Sequence, residues 1–186
     1  MALFTRSKKQ EMSLRGTLER RYAVARRDIM IFIGFTLLNL FLLLTKSNKF
    51  FLFSAYIPYM LVDLGMFLCG MHPEEVYEAH YEAPYHTIDF PSKGILYLLV
   101  LAAAVVLVWY LISWLRTKKA ISAGWLIFTL IYLGIDTVAK LLGEAPLSYG
   151  DIFDCVFRLW MIGSLISGII AARDLKDLPE GSTEEI

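Results

Sequence analysis

The sequence predicts an all-α integral membrane protein: a four-helix transmembrane bundle plus one re-entrant or interfacial helical segment. Five spanning helices are the alternative. Three observations predict this class. Of 186 residues, 57% are hydrophobic, more than the roughly 45–50% usual in soluble domains. The apolar residues gather in blocks of about 20, the length a helix needs to cross a ~30 Å hydrocarbon core. The charges, 18 basic and 18 acidic, cancel in total but not in place: residues 1–27 carry eight basic and two acidic residues, whereas 72–92 carry five acidic residues and no Lys or Arg. Such asymmetry is a topology signal.

Residues 1–28 form a basic cytoplasmic segment. Within it, MSLRGTLERRYAVARR (12–27) places Leu14, Leu18, Tyr22 and Ala25 on one helical face, with most arginines elsewhere. The pattern suits a helix lying in the plane of an anionic leaflet, or an ordinary basic tail. The patch is short and tethered to a membrane anchor, which argues against nucleic acid as its partner. The long basic region, the long apolar run after it and the lack of a small-residue cleavage site read as a retained signal anchor. Spans follow at 29–45, 94–115, 123–143 and 151–172, with the tail 173–186 cytoplasmic.

The remaining apolar block, FFLFSAYIPYMLVDLGMFLCGM at 50–71, is long enough to cross but holds Pro58 and Asp63. Charge counting separates the two topologies. With the basic N-terminus inside and five crossings, the basic run RTKK at 116–119 and the tail with Arg173 and Lys176 fall outside. With four crossings, 13 of the 18 basic residues are cytoplasmic, in keeping with the positive-inside rule. The block is then re-entrant, turning near Pro58, which removes a backbone donor. Irregular backbone at membrane depth is tolerated only when packed against protein. The acidic stretch 72–93 becomes an outer loop.

Four spans bring polar residues to one level. Asn39, Asp136 and Arg158 lie six or seven residues below the outer helix ends, roughly 10 Å deep. Lys140 and Asp154 sit one turn higher, each at i±4 from Asp136 or Arg158, and Asp63 reaches the same layer from the re-entrant segment. Charges at that depth must pair or face water. The expectation is an Asp136–Arg158 ion pair with Asn39 and Asp63 nearby, serving as a polar clamp or as an ion or solute site.

The outer loop holds every histidine: His72, His80 and His86. With Glu78 and Glu82 they offer ligand types for a divalent metal, but the spacing matches no known ligand box. A short helix is expected between Pro73 and Pro84, with a stripe of Tyr77, Tyr81 and Tyr85 packing on the membrane or on the re-entrant segment. In the last span Gly163, Ser164, Ser167 and Gly168 form two small-xxx-small pairs, suited to a close internal helix contact or to a homo-oligomer or membrane partner. Cys69 and Cys155 both lie toward the outer face, with no spacing that argues for a bond. GxSxG, HExxH, P-loop and dinucleotide motifs are absent, so catalysis has little support.

The pattern of Asn39, an outer turn, then FLFSAYIPY, within residues 36–72, resembles small uncharacterised multi-pass membrane proteins of Gram-positive, gut-type bacteria. The resemblance implies a bacterial cell membrane and transfers no functional residues. The functional expectation is a small scaffold, accessory or sensor subunit without catalytic activity or cofactor. A small ion or solute transporter using the Asp/Arg layer is the alternative, and an exofacial metal-dependent enzyme is a third reading. The four-span topology predicts that a reporter fused to the C-terminus will register the cytoplasmic side; an extracytoplasmic signal would mean five crossings.

Overall fold

The structure, a computed structural model, describes residues 2–47, 53–143 and 149–178, with the backbone alone for 2–13 and 149. Lys49, the opening of the 50–71 block and the tail beyond 178 lie outside the described residues. Six α-helices follow one another: α1 (Ala2–Leu44), α2 (Tyr56–Leu68), α3 (Glu74–Tyr81), α4 (Gly94–Lys119), α5 (Ala123–Gly143) and α6 (Tyr149–Asp177), with a 3-10 turn at Tyr85–Thr87. No strand occurs among the described residues. Four helices, α1, α4, α5 and α6, are long and apolar enough to cross a membrane, and α2 is a shorter apolar helix of 13 residues. The chain is a helical membrane bundle.

Helix α6 runs between α1 and α5, and α2 lies along α4. The main core gathers Ala25, Ile29 and Phe32 of α1, Tyr110 of α4, Leu126 and Leu133 of α5, and Met161 and Leu165 of α6. Outward-facing apolar side chains such as Leu101, Ile131 and Leu159 are well exposed, as lipid-facing positions must be. Packing between such helices rests on close approach and hydrogen bonds, since lipid removes the hydrophobic drive. Gly168 supplies the approach: a Cβ there would lie 2.5 Å from the Ala25 Cβ. Ser164, one turn away, donates to Asp28 Oδ2 at 2.6 Å. These two contacts place the pair at an internal α1–α6 seam. Gly163, by contrast, faces open space.

The α4–α5 hairpin is tied through hydroxyls. Ser113 Oγ donates to the Trp125 carbonyl and is hydrogen-bonded to Thr129 Oγ1. Tyr22 of α1 fastens the turn: its hydroxyl points at the Thr117 and Ala120 carbonyls, at 3.0 and 3.2 Å, and accepts the Ser122 N–H at 3.1 Å.

Two boundaries differ from those the sequence suggests. The basic segment is not a separate in-plane helix. It is the first part of α1, which runs 43 residues without a break. No proline interrupts it, and α6 covers its apolar face: Leu18 packs on Ala171 and Leu175. The second difference is at Pro58, where the chain does not turn. Pro58 is the third residue of α2, in a first turn whose amides lack intrahelical acceptors, so the missing N–H costs nothing there. The turn falls before Tyr56.

The two glycines of α6 should respond oppositely to substitution. Gly168→Val should lower the thermal stability of the purified protein by roughly 1–3 kcal/mol through overpacking. Gly163→Ala should leave it unchanged or slightly raised, since alanine favours a helix and nothing opposes its methyl. Melting curves in detergent test both.

Candidate functional site

The site grows from the short stretch that leads into α2. Residues 53–57 are irregular or only beginning a helix, and their backbone groups need partners. Neighbouring side chains provide them. Phe53 N–H donates to Asp154 Oδ1 at 2.7 Å, and Ala55 N–H to Thr36 Oγ1 at 2.8 Å. Tyr56 N–H and Ile57 N–H donate to the two carboxylate oxygens of Asp136, at 2.9 and 2.8 Å. Ser54 Oγ accepts from Asn39 Nδ2 at 2.7 Å. The N-cap residue Ala55 has no side chain able to cap. Asp136, from another helix, takes that role with a full negative charge at the positive end of the α2 dipole.

Arg158 binds this arrangement together. Its side chain is 1% exposed. Nε donates to Asp154 Oδ2 at 2.7 Å, Nη1 to Asp136 Oδ2 at 2.7 Å, and Nη2 to the Ser54 carbonyl at 2.6 Å. Lys140 Nζ lies 2.9 Å from Asp154 Oδ2 and 3.2 Å from Asp151 Oδ1. Three carboxylates therefore face two cations. The surplus negative charge is offset in part by the α2 N-terminus, whose dipole is equivalent to about half a positive charge.

Of the six residues that the sequence assigns to a polar layer, the structure brings together Asn39, Asp136, Lys140, Asp154 and Arg158. Asp63 is elsewhere. Because α2 begins at Tyr56 and climbs away from the cluster, seven residues carry Asp63 roughly 10 Å farther along. There its Oδ1 meets His72 Nε2 at 3.2 Å, with the Asp63 side chain 40% exposed. Sequence reasoning missed Thr36, Ser54 and Asp151. Thr36 and Asn39 are three apart in an apolar run, and that polar i,i+3 pair was the available signal. It also missed Asp28, which reads as part of the basic segment yet is fully buried at the α1–α6 seam. Its Oδ1 is 3.6 Å from Arg27 Nε and accepts no hydrogen bond.

The far end of α2 is held by Tyr77. Its buried hydroxyl points at the Phe67 and Met66 carbonyls, at 2.9 and 3.3 Å, and accepts the His72 N–H at 3.0 Å. Burial pushes this phenol above its usual range, opposed by the His72 N–H bond, so it stays protonated and able to donate at neutral pH. Phe67 stacks on Tyr77 with ring centroids 5.0 Å apart, and Tyr81 and His80 also meet its ring. Tyr85 donates to the Gly70 carbonyl at 3.1 Å. The tyrosine stripe thus packs on the end of α2.

The candidate metal ligands do not converge, although His72 and His80 both meet the Phe67 ring. His72 faces Asp63. His80 lies against Phe67 and Tyr81, and His86 is exposed in the 3-10 turn. Glu78 accepts the Tyr85 N–H at 3.2 Å, and Glu82 ends α3 with a φ of 51°. Among the described residues, no three His, Cys, Asp or Glu side chains are placed to hold a metal ion, so the structure does not assemble these five. Cys69 and Cys155 are both free. Comparison with protein-family models, curated proteins and solved structures finds no match.

Tyr77→Phe should loosen the segment after α2 without melting the bundle: amide exchange within 72–92 should quicken while protection in α5 and α6 holds. Asp63→Asn should shift stability by less than about 1 kcal/mol, as for other partly exposed pairs.

Proposed function

We propose that this protein is a small multi-pass scaffold, accessory or sensor subunit of a bacterial cell membrane, without catalytic activity. Both termini are cytoplasmic in this reading, and the segment around α2 is re-entrant from the outer face. Its charged cluster serves as the clamp that holds that segment in place. The charge distribution along the chain supports the orientation, and the resemblance of residues 36–72 supports the bacterial setting.

One observation carries the reading. Each charged side chain of the cluster is engaged by the chain itself, and three of them converge on α2 and its approach: Asp154 on Phe53, Arg158 on Ser54, Asp136 on Tyr56 and Ile57. A site built for a solute or for proton exchange would leave a group to offer. Here the nitrogens of the guanidinium and both oxygens of Asp136 are taken.

Single and double replacements test the proposal. Arg158→Met leaves two buried carboxylates short of a partner and should cost about 3–5 kcal/mol. Combining it with Asp136→Asn, which keeps an acceptor for the α2 amides, should recover a large part of that loss in the same melting assay. A double variant that remains folded in liposomes yet abolishes a measurable ion or solute flux of the parent protein would replace the scaffold reading with transport.

A further inference from the structure

The outward face of α4 carries a feature that the clamp does not use. Leu101, Ala104, Val105, Val108, Trp109 and Ile112 line an apolar groove of about 350 Å³. These positions recur at three- and four-residue intervals, so they form one stripe along the helix. From Leu101 to Ile112 the stripe rises roughly 16 Å, about half of a ~30 Å hydrocarbon core and so the depth of one leaflet. Continued by the same spacing beyond Ile112, the stripe reaches Arg116 and Lys119, at four and seven residues. Both are exposed.

Those two cations stand in a stretch of sequence without acid. No Asp or Glu occurs between Asp89 and Asp136. Among the described residues, neither Arg116 nor Lys119 pairs with a carboxylate. Arg116 instead lies over the Trp125 ring, 5.9 Å from its centroid, and Lys118 lies 5.4 Å over Trp114. Tryptophan favours the headgroup level of a bilayer, and a guanidinium over its face is partly held there. Tyr22 pins the adjoining α4–α5 turn against α1, so the end of α4 is a fixed platform. Arg26, one turn beyond Tyr22, adds its charge on that side.

We infer that this face of α4 is a binding site for one anionic phospholipid: an acyl chain lies along the Leu101–Ile112 groove and the phosphate is held by Arg116 and Lys119. Charge selects the occupant. A zwitterionic lipid fills the same groove but brings its own cation to a position already occupied by two. This inference does not depend on the scaffold reading, because it concerns the opposite end of the bundle from the clamp.

The test uses the full chain purified in neutral detergent, titrated with phosphatidylglycerol or phosphatidylcholine of identical acyl chains. Bound lipid is counted by native mass spectrometry. Each basic residue near a bilayer surface is worth about fivefold in affinity for anionic lipid, so phosphatidylglycerol should bind at least tenfold more tightly. Arg116→Gln with Lys119→Gln should abolish the preference. Ala104→Phe, on an exposed position, should weaken both lipids by filling the groove, while Lys93→Gln at the other end should change neither. Equal binding of the two lipids would overturn the inference, as would a preference that survives the double glutamine variant. Displacement of phosphatidylglycerol by millimolar inorganic phosphate would also overturn it, by making the site one for free phosphate.

Discussion

The placement of α2 depends on the guanidinium of Arg158. Its planar fork of donors reaches three separate pieces of chain at once: Asp154 one turn back on its own helix, Asp136 on α5, and the Ser54 carbonyl on the approach to α2. An unpaired cation at this depth is costly. The chain meets that cost by arranging acceptors around a fixed plane, and those acceptors then hold elements other than Arg158. Asp136 orders α2 through two amides, and Asp154 orders Phe53 through one. The α5–α6 register and the entry to α2 therefore form one problem with one solution. The energies within such a network are non-additive.

A short helix inside a membrane protein has a difficulty that long spans avoid. A span of 20 or more residues delivers its unsatisfied end groups to the headgroup layers. A 13-residue helix such as α2 rises only about 20 Å, less than a ~30 Å hydrocarbon core, and its buried end groups need partners from other elements. Here the N-terminal amides go to a carboxylate and the C-terminal carbonyls to a phenol, Asp136 and Tyr77 respectively. The chemistry at each end matches the helix dipole, an anion at the positive end and a neutral donor at the negative end. Along its length α2 is held more simply. Gly65 lets it approach α4 until a Cβ would meet Leu96 Cδ1 at 3.0 Å.

Much of this was legible in the sequence, for identifiable reasons. Helix rise is fixed, so counting residues from the ends of apolar blocks predicts that Asp136 and Arg158 meet, and the Pro58 and Asp63 inside the 50–71 block mark it off from the four long apolar helices. What could not be read was anything dependent on where α2 starts. Pro58 suits either a kink or a first turn, and only the supply of acceptors from Asp136 and Thr36 makes Tyr56 the first helical residue. A shift of that start by a few residues decides whether Asp63 falls in the cluster or about two turns beyond it. The same holds for α1. Nothing local distinguishes an in-plane amphipathic helix from the opening of a long span, because the deciding fact is that α6 covers Leu18 and Ala25 while the α4–α5 turn takes Tyr22. Asp28 was hidden for a related reason: its neighbours in sequence are arginines, while its partner is Ser164, 136 residues away.

Depth gives one residue type two different physical roles in this chain. Arg116 and Arg158 carry the same side chain. Arg116 is exposed over a tryptophan ring, where water competes for it and salt screens it. There a lysine supplies much the same charge, as Lys119 does three residues on. Arg158 is excluded from water, and its value lies in directed bonds to three fixed acceptors rather than in charge alone. An ammonium in that position has three donors on one atom and cannot reach three acceptors held apart in a plane. The zero net charge of the sequence conceals this division. The antiparallel helices carry the rim cations to one end of the bundle and the acidic segment to the other. The buried set pairs within itself, three carboxylates on two cations. The same residue types thus act in two ways, one set through charge at the exposed ends and the other through hydrogen-bond geometry in the interior.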